Sequence, residues 1–248
     1  MTEALFLADL DSPRVGETVT LAGDEGRHAA SVRRIRVGES ITVADGAGTG
    51  IRGPVVAVDK AFVTVEVAEV LRAAEPVVRY HAVQALSKGD RAELAVETMT
   101  EMGIDRIIPW QASRSVVRWS LDREERQLGR WRSTAREATK QSRRLRVPIV
   151  TAPMTIDELV ELIPTMALAL VLHEGGSTPL SALELPTEGD VLMVIGPEGG
   201  LTDYEVAAFE AAGAHAVVLS DGVLRTSTAG VVALAQLHAL QQRLADTR

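Results

Sequence analysis

Hydrophobic and polar positions alternate in short runs through the first seventy residues, and 18–21, 40–44, 53–59 and 62–71 each read as strands. Turn signals such as Ala22-Gly23-Asp24, Asp45-Gly46-Ala47-Gly48 and Val58-Asp59-Lys60 separate them. Several short strands in so small a span predict a compact barrel. One stretch interrupts the alternation: residues 25–36 predict a short helix carrying Arg27, Arg33, Arg34 and Arg36, with no acid after Glu25.

From residue 77 the period changes. Continuous apolar runs at 77–86, 106–109, 147–151, 166–172, 190–195 and 216–219 alternate with helical patterns at 90–102, 122–144, 156–162, 203–212 and 227–244. Leu94, Val96, Met99 and Met102 supply the apolar positions of the first of these helices. Unbroken apolar strands alternating with helices predict an α/β domain with a parallel sheet covered on both faces. The change of pattern falls at 73–76, so the expected domains are 1–73 and 74–248.

Composition narrows the possibilities. Hydrophobic residues make up 46% and charged residues 24% of 248, an ordinary globular balance. There is no cysteine, which excludes disulfides, thiolate metal sites and cysteine nucleophiles and fits a reducing compartment. The first residues lack the basic start and apolar run of a signal peptide, and no apolar stretch has the length of a membrane span. A soluble, cytoplasmic protein without membrane contact is expected. The net charge of −8 argues at first against a nucleic-acid partner. Its distribution reverses that impression: residues 113–150 hold 11 basic and 4 acidic side chains, a local net of +7. Four acids cannot pair eleven bases, so this stripe points to a polyanion.

Ligands of open α/β sheets bind beyond the carboxyl ends of the strands. Three loops are expected there: His173-Glu174-Gly175-Gly176, Gly196-Pro197-Glu198-Gly199-Gly200, and Ser220-Asp221-Gly222-Val223-Leu224-Arg225-Thr226. In the second, glycines permit close backbone approach and proline stiffens the turn. Thr202 and Glu205 then form a capping box that opens a helix. Taken alone, this loop is equally a tight strand-to-helix turn. No P-loop, no dinucleotide glycine fingerprint and no G-x-S-x-G elbow occurs, and five scattered histidines without cysteine argue against a metal.

Ile195-Gly196-Pro197-Glu198-Gly199-Gly200-Leu201-Thr202, followed by Leu224-Arg225-Thr226-x-Thr228-Ala229, resembles the RsmE family. These are SPOUT-class methyltransferases acting on N3 of a uridine in 16S ribosomal RNA. The likeness runs along the chain in order: Arg27-His28, Val32-Arg33 and Asp45-Gly46; Lys88-x-Asp90-Arg91-x-Glu93; Thr100-Glu101-Met102-Gly103; Arg114-Ser115; and Glu137-Ala138-x-x-Gln141-Ser142-x-Arg144 with Pro148. The resemblance implies a PUA-like β-barrel for RNA binding ahead of a SPOUT domain with a C-terminal trefoil knot, an exception to general topology rules. It also implies S-adenosylmethionine as cofactor, a homodimer, and an RNA site assembled across the subunit interface on the small ribosomal subunit. Ser227 stands where the family usually has glutamate, and a small polar residue there is expected to serve as a helix cap.

The cofactor residues so implied are Leu172, His173, Glu174, Ile195, Gly196, Pro197, Glu198, Gly199, Gly200, Leu219, Ser220, Val223, Leu224, Arg225 and Thr226. Backbone groups of Gly196, Gly199, Leu219 and Leu224 would hold adenine and ribose, between Leu172 and Leu224 as apolar walls. Arg225 is the candidate to stabilise charge on the uracil oxygens, or else to pair with Glu198. Glu198 would orient the cofactor, accept its ammonium or act as base. The expected RNA contacts are Arg27, His28, Arg33, Arg34, Arg36, Arg132, Arg136, Lys140, Arg143 and Arg144. The chemistry calls for no metal. With 3% aromatic residues, a stacking platform is poorly supplied. Two other readings stay open: a ribose 2′-O or transfer-RNA methyltransferase of the same fold, and an RNA-binding protein without activity.

Overall fold

A computed structural model describes residues 3–246. By its internal contacts the chain forms two compact units. One runs through Glu75 and regains Arg136–Val147; the other comprises Pro76–Ala135 and the chain from Pro148 onward.

In the first unit, strands β1 (Ala4–Leu7), β2 (Thr18–Leu21), β3 (Ser40–Ala44), β4 (Thr49–Val58), β5 (Val63–Glu66) and β6 (Glu69–Arg72) form one sheet. Its order is β1-β3-β4-β5-β2, with β6 also on β4. No pairing joins β1 to β2 among the described residues, so the sheet closes on side chains: Phe6 and Leu21 share a core with Ile41, Val43, Ile51 and Val65. Gly53 allows the tightest approach, since a Cβ there would lie 1.8 Å from the Glu66 carbonyl oxygen.

Two expectations change here. The run 62–71 is two strands, because Val67 and Ala68 turn their N–H groups to the carbonyls of Glu17 and Arg52. The predicted helix at 25–36 is a short helix α1 (Gly23–Arg27) continuing as a π turn (His28–Val32), and it ends with Arg34 at φ 55°. The return of 136–147 to this unit also departs from a single cut after residue 73. Leu145 and Val147 pack on Leu5, Leu7 and Ala44, and Arg146 donates to Ala47 O and to Glu75.

The second unit is a parallel seven-stranded sheet. Its strands are β7 (Val78–Ala85), β8 (Arg106–Trp110), β9 (Ile149–Val150), β10 (Leu168–Leu172), β11 (Thr178–Pro179), β12 (Gly189–Ile195) and β13 (His215–Val218). They lie in the order β11-β13-β10-β12-β7-β8-β9. The helices are α2 (Arg91–Met102), α3 (Leu121–Ser142, whose last residues belong to the first unit), α4 (Ile156–Leu162), α5 (Asp203–Ala211) and α6 (Thr226–Asp246). Strand β10 and residues 191–195 of β12 are wholly apolar because both faces are buried, while β7 carries the buried polar His81 and Gln84.

Helices α2 and α6 meet closely. A Cβ at Gly230 would lie 2.5 Å from Met99 Sδ, so glycine lets α6 settle there without displacing that side chain. Val96 and Met99 are buried as the periodicity predicts, whereas Leu94 is 43% exposed. Among the described residues, no helix is long and apolar enough to cross a membrane.

Candidate functional site

Strand register brings the three loops to one edge. Gln84 of β7 pairs with Ile195 of β12, Ile195 with Leu172 of β10, and Leu172 with Val217 of β13. These four residues form one row across the sheet, and the loops that begin at His173, Gly196 and Leu219 leave the sheet just beyond it.

The first and third loops enclose a small cavity of about 60 Å³ lined by Leu172, His173, Glu174, Leu219, Ser220, Val223 and Leu224, with Val217, Val218, Gly222 and Ala229 completing it. Val223, on its outer wall, is 76% exposed. The first loop is locally fixed, with His173 Nδ1 accepting from the Gly175 N–H at 3.1 Å and the His173 N–H donating to Val217 O at 3.1 Å.

The glycine loop does not line this cavity. Its glycines answer mainly to protein neighbours. A Cβ on Gly196 would press on Leu201, and one on Gly199 on Arg114 at 3.1 Å. Gly200 has φ +70° and closes a turn onto Pro197 O. A Cβ on Gly200 would come within 3.8 Å of a Glu174 oxygen, so the first two loops adjoin. Carbonyls expected to face a ligand already accept side-chain bonds: Gly196 from Thr226 Oγ1 at 2.8 Å, Gly199 from Arg114 at 3.3 Å, and Leu219 from Gln236 at 2.9 Å. Each retains a second lone pair for a ligand.

Glu198 Oε1 accepts from the Lys88 N–H at 3.1 Å and from Arg91 at 3.3 Å. Its ionic partner is therefore Arg91, not Arg225. Arg225 is exposed, and among the described residues its guanidinium has no hydrogen bond or ion pair. Ser227 is not the helix cap that was expected. It is buried inside the first turn, and Thr228 is the residue whose hydroxyl turns back to Arg225 O.

Beneath the edge lies a buried polar lattice that sequence reasoning missed. Gln84, wholly buried, donates to Thr226 Oγ1 at 3.0 Å, and Trp110 Nε1 donates to Ile195 O at 3.2 Å. Glu205 accepts from the Ser113 N–H at 2.7 Å as well as from Thr202. Burial pushes the Glu205 carboxyl up, but these hydrogen bonds outweigh it and hold the group below the ordinary carboxylate range. A polar side chain inside an apolar strand, such as Gln84, was the available signal.

The expected RNA residues fall into separate groups. In the first unit, His28, Arg33, Lys140 and Arg143 line one cavity with Gln141 and β1. Lys140 is buried between Glu25 at 3.0 Å and Glu137 at 2.7 Å. Arg27 pairs with Asp24. Arg34, Arg36 and Arg136 are exposed and Arg144 half-buried, while Arg132, in the second unit, pairs with Glu125.

A family model described as RNA methyltransferase domain matches residues 73–238, and one described as RNA methyltransferase PUA domain matches 21–68. Ribosomal RNA small subunit methyltransferase E of Mycobacterium tuberculosis is 40% identical over 98% of this chain and 94% of its own length. The chain belongs to the RsmE family. The Bacillus subtilis member is 30% identical over 94% of each chain. Among solved structures, RsmE of Neisseria gonorrhoeae bound to S-adenosylmethionine matches with a TM-score of 0.85 and 27% identity, covering 96% of this chain and 98% of that one. A methyltransferase of Legionella pneumophila in complex with the same cofactor gives 0.86 and 28% over the same shares.

Proposed function

We propose that the chain transfers the methyl group of S-adenosylmethionine to N3 of one uridine in 16S ribosomal RNA, acting as a homodimer on the assembled small subunit in the cytoplasm. The observation that carries this reading is the levelled row Gln84–Ile195–Leu172–Val217, which brings three loops to one edge of the sheet, two of them around one cavity, in an RsmE-family chain. Strands β12 and β13 return to either side of β10, an order compatible with the trefoil knot that the family resemblance implies.

The residues fit the cofactor. Leu172 and Leu224 offer apolar walls, and backbone groups of the three loops offer donors and acceptors. When bound, the cofactor supplies an electrophilic methyl group. The chain's own residues do the rest by placement. As the uridine N3–H passes its proton to water, negative charge spreads to the ring oxygens, and the uncommitted guanidinium of Arg225 donates to them. Glu198, clasped by Lys88 and Arg91, positions the glycine loop. His28, Arg33 and Arg143 hold phosphates.

The test is methyl transfer from labelled cofactor to small subunits lacking the mark, with the product nucleoside identified by mass spectrometry. N3-methyluridine is expected. A ribose-methylated product, transfer only to transfer RNA, or cofactor-independent RNA binding without transfer would replace this reading with another.

A further inference from the structure

A second cavity, of about 250 Å³, lies in the second unit beyond the end of β7. Leu86 and Ser87 follow that strand directly, and the opposite wall is Trp119 and Trp131. The two indoles meet edge to face, with centroids 5.4 Å apart and planes at 79°. Trp131 is buried and pins Trp119, which is partly exposed. Two of the three tryptophans of this aromatic-poor chain thus stand at one opening.

The polar lining is uncommitted. Ser87 is 6% exposed, and its Oγ is buried without a hydrogen-bond partner. Asp90 opens helix α2 without capping it. Asp90, Glu93, Gln127 and Arg130 line the cavity, and among the described residues none has a side-chain hydrogen bond or ion pair. A buried hydroxyl with no partner costs free energy unless a ligand or water satisfies it. Two carboxylates against one guanidinium disfavour a phosphate. A pinned indole, a hydroxyl that both donates and accepts, an amide and a carboxylate match the face and the edge of a neutral heterocycle.

We propose that this cavity receives an unstacked base of the RNA substrate, stacked on Trp119 with its edge toward Ser87. The site rests on the RNA-methyltransferase reading and extends it. The segment that forms its floor also reaches the cofactor loops, because Lys88 and Arg91 hold Glu198. Base capture and the glycine loop therefore share one stretch of backbone.

The full-length chain is titrated with a short labelled single-stranded RNA and with an abasic RNA of the same length, reading anisotropy and tryptophan fluorescence. Wild type is expected to bind the base-containing RNA more tightly, with saturable quenching that the abasic RNA does not cause. Trp119→Leu is expected to weaken the base-containing RNA by about tenfold and leave the abasic RNA unchanged. Ser87→Ala, which removes only the hydroxyl, is expected to weaken it severalfold without lowering the unfolding midpoint. Equal affinity of wild type for both RNAs, or wild-type affinity in both variants, would overturn the proposal. Methyl transfer to small subunits by wild type is run alongside. Transfer with an indifferent cavity sinks this site alone, whereas no transfer sinks the enzyme reading and leaves the base comparison to stand or fall by itself.

Discussion

The Thr226 hydroxyl donates to the carbonyl oxygen of Gly196 at 2.8 Å, tying the first residue of the terminal helix to the first residue of the glycine loop. The Thr226 hydroxyl oxygen also accepts from the buried Gln84 amide, so three segments separated in sequence meet at one hydroxyl.

Thr226→Val removes that hydroxyl while keeping the shape. It leaves the Gln84 amide and Gly196 O each one bond short, at a cost of about 1–3 kcal/mol in stability. Cofactor affinity, measured by calorimetry, is expected to fall severalfold or more, while Thr226→Ser stays near wild type. Equal affinities for the two variants would show that the tie does not shape the cofactor loops.

Arg225→Ala touches a side chain with no hydrogen bond or ion pair among the described residues, so stability should change by less than about 0.5 kcal/mol. If the guanidinium meets the uracil oxygens, the methyl-transfer kcat falls by about two to three orders of magnitude. Cofactor affinity should change far less. A loss confined to cofactor affinity would assign Arg225 to binding.

Stability should fall on mild acidification. Burial lowers the pKa of His81 from 6.5 to about 4, with Arg106 and Arg79 adding to the effect and Asp190 opposing it. Between those values the unfolded chain binds a proton that the folded chain refuses. Stability contributed by neutral His81 is therefore present above pH 6.5 and lost as pH falls toward 4, about 3 kcal/mol in all. Denaturant midpoints from pH 7 to pH 4 measure it, and His81→Gln should flatten the slope over that window. The native pairing of Asp190 with Arg79 at 2.6 Å weakens only at lower pH, since its carboxyl sits below the ordinary range: burial raises it, but the hydrogen bond from Arg79 and the neighbouring cations prevail.

Gly230→Ala places a Cβ against Met99 Sδ and Ile195 Cδ1. Overpacking of this kind costs about 1–3 kcal/mol. Because the closest atom belongs to a flexible thioether, Met99→Ala should make the glycine replacement cheaper than it is in the wild-type background. Additive costs would show that α2 and α6 relieve the clash elsewhere.

Much of the second unit was legible because most of its strands are apolar runs and the Thr202–Glu205 capping box marks the start of α5. The first unit was less so. Strand β1 is four residues with no alternation to mark it, and the break at Val67–Ala68 follows from partners distant in sequence. The site divides in the same way. Leu172–Glu174, Leu219, Ser220 and Gly222–Leu224 line one cavity beyond the strand ends. The glycine loop spends its conformational freedom on packing against Leu201 and Arg114, which spacing cannot reveal. Charge counting found the basic segment but could not foresee that Lys140 is committed to Glu25 and Glu137. Composition made aromatic stacking look scarce, yet Trp119 and Trp131, twelve positions apart, share one opening.

The membership of Arg136–Val147 in the first unit has a bearing on how the chain is made. Leu5, Leu7 and Ala44 obtain their apolar cover from Leu145 and Val147. During synthesis the N-terminal sheet can pair its strands early, but that patch stays open to water until residue 147 has cleared the exit tunnel. A fragment ending after residue 73 would carry the same bare patch permanently and would be prone to self-association. The smallest piece able to bury it includes the whole of β7, α2, β8 and α3, so the two units mature as one translation product.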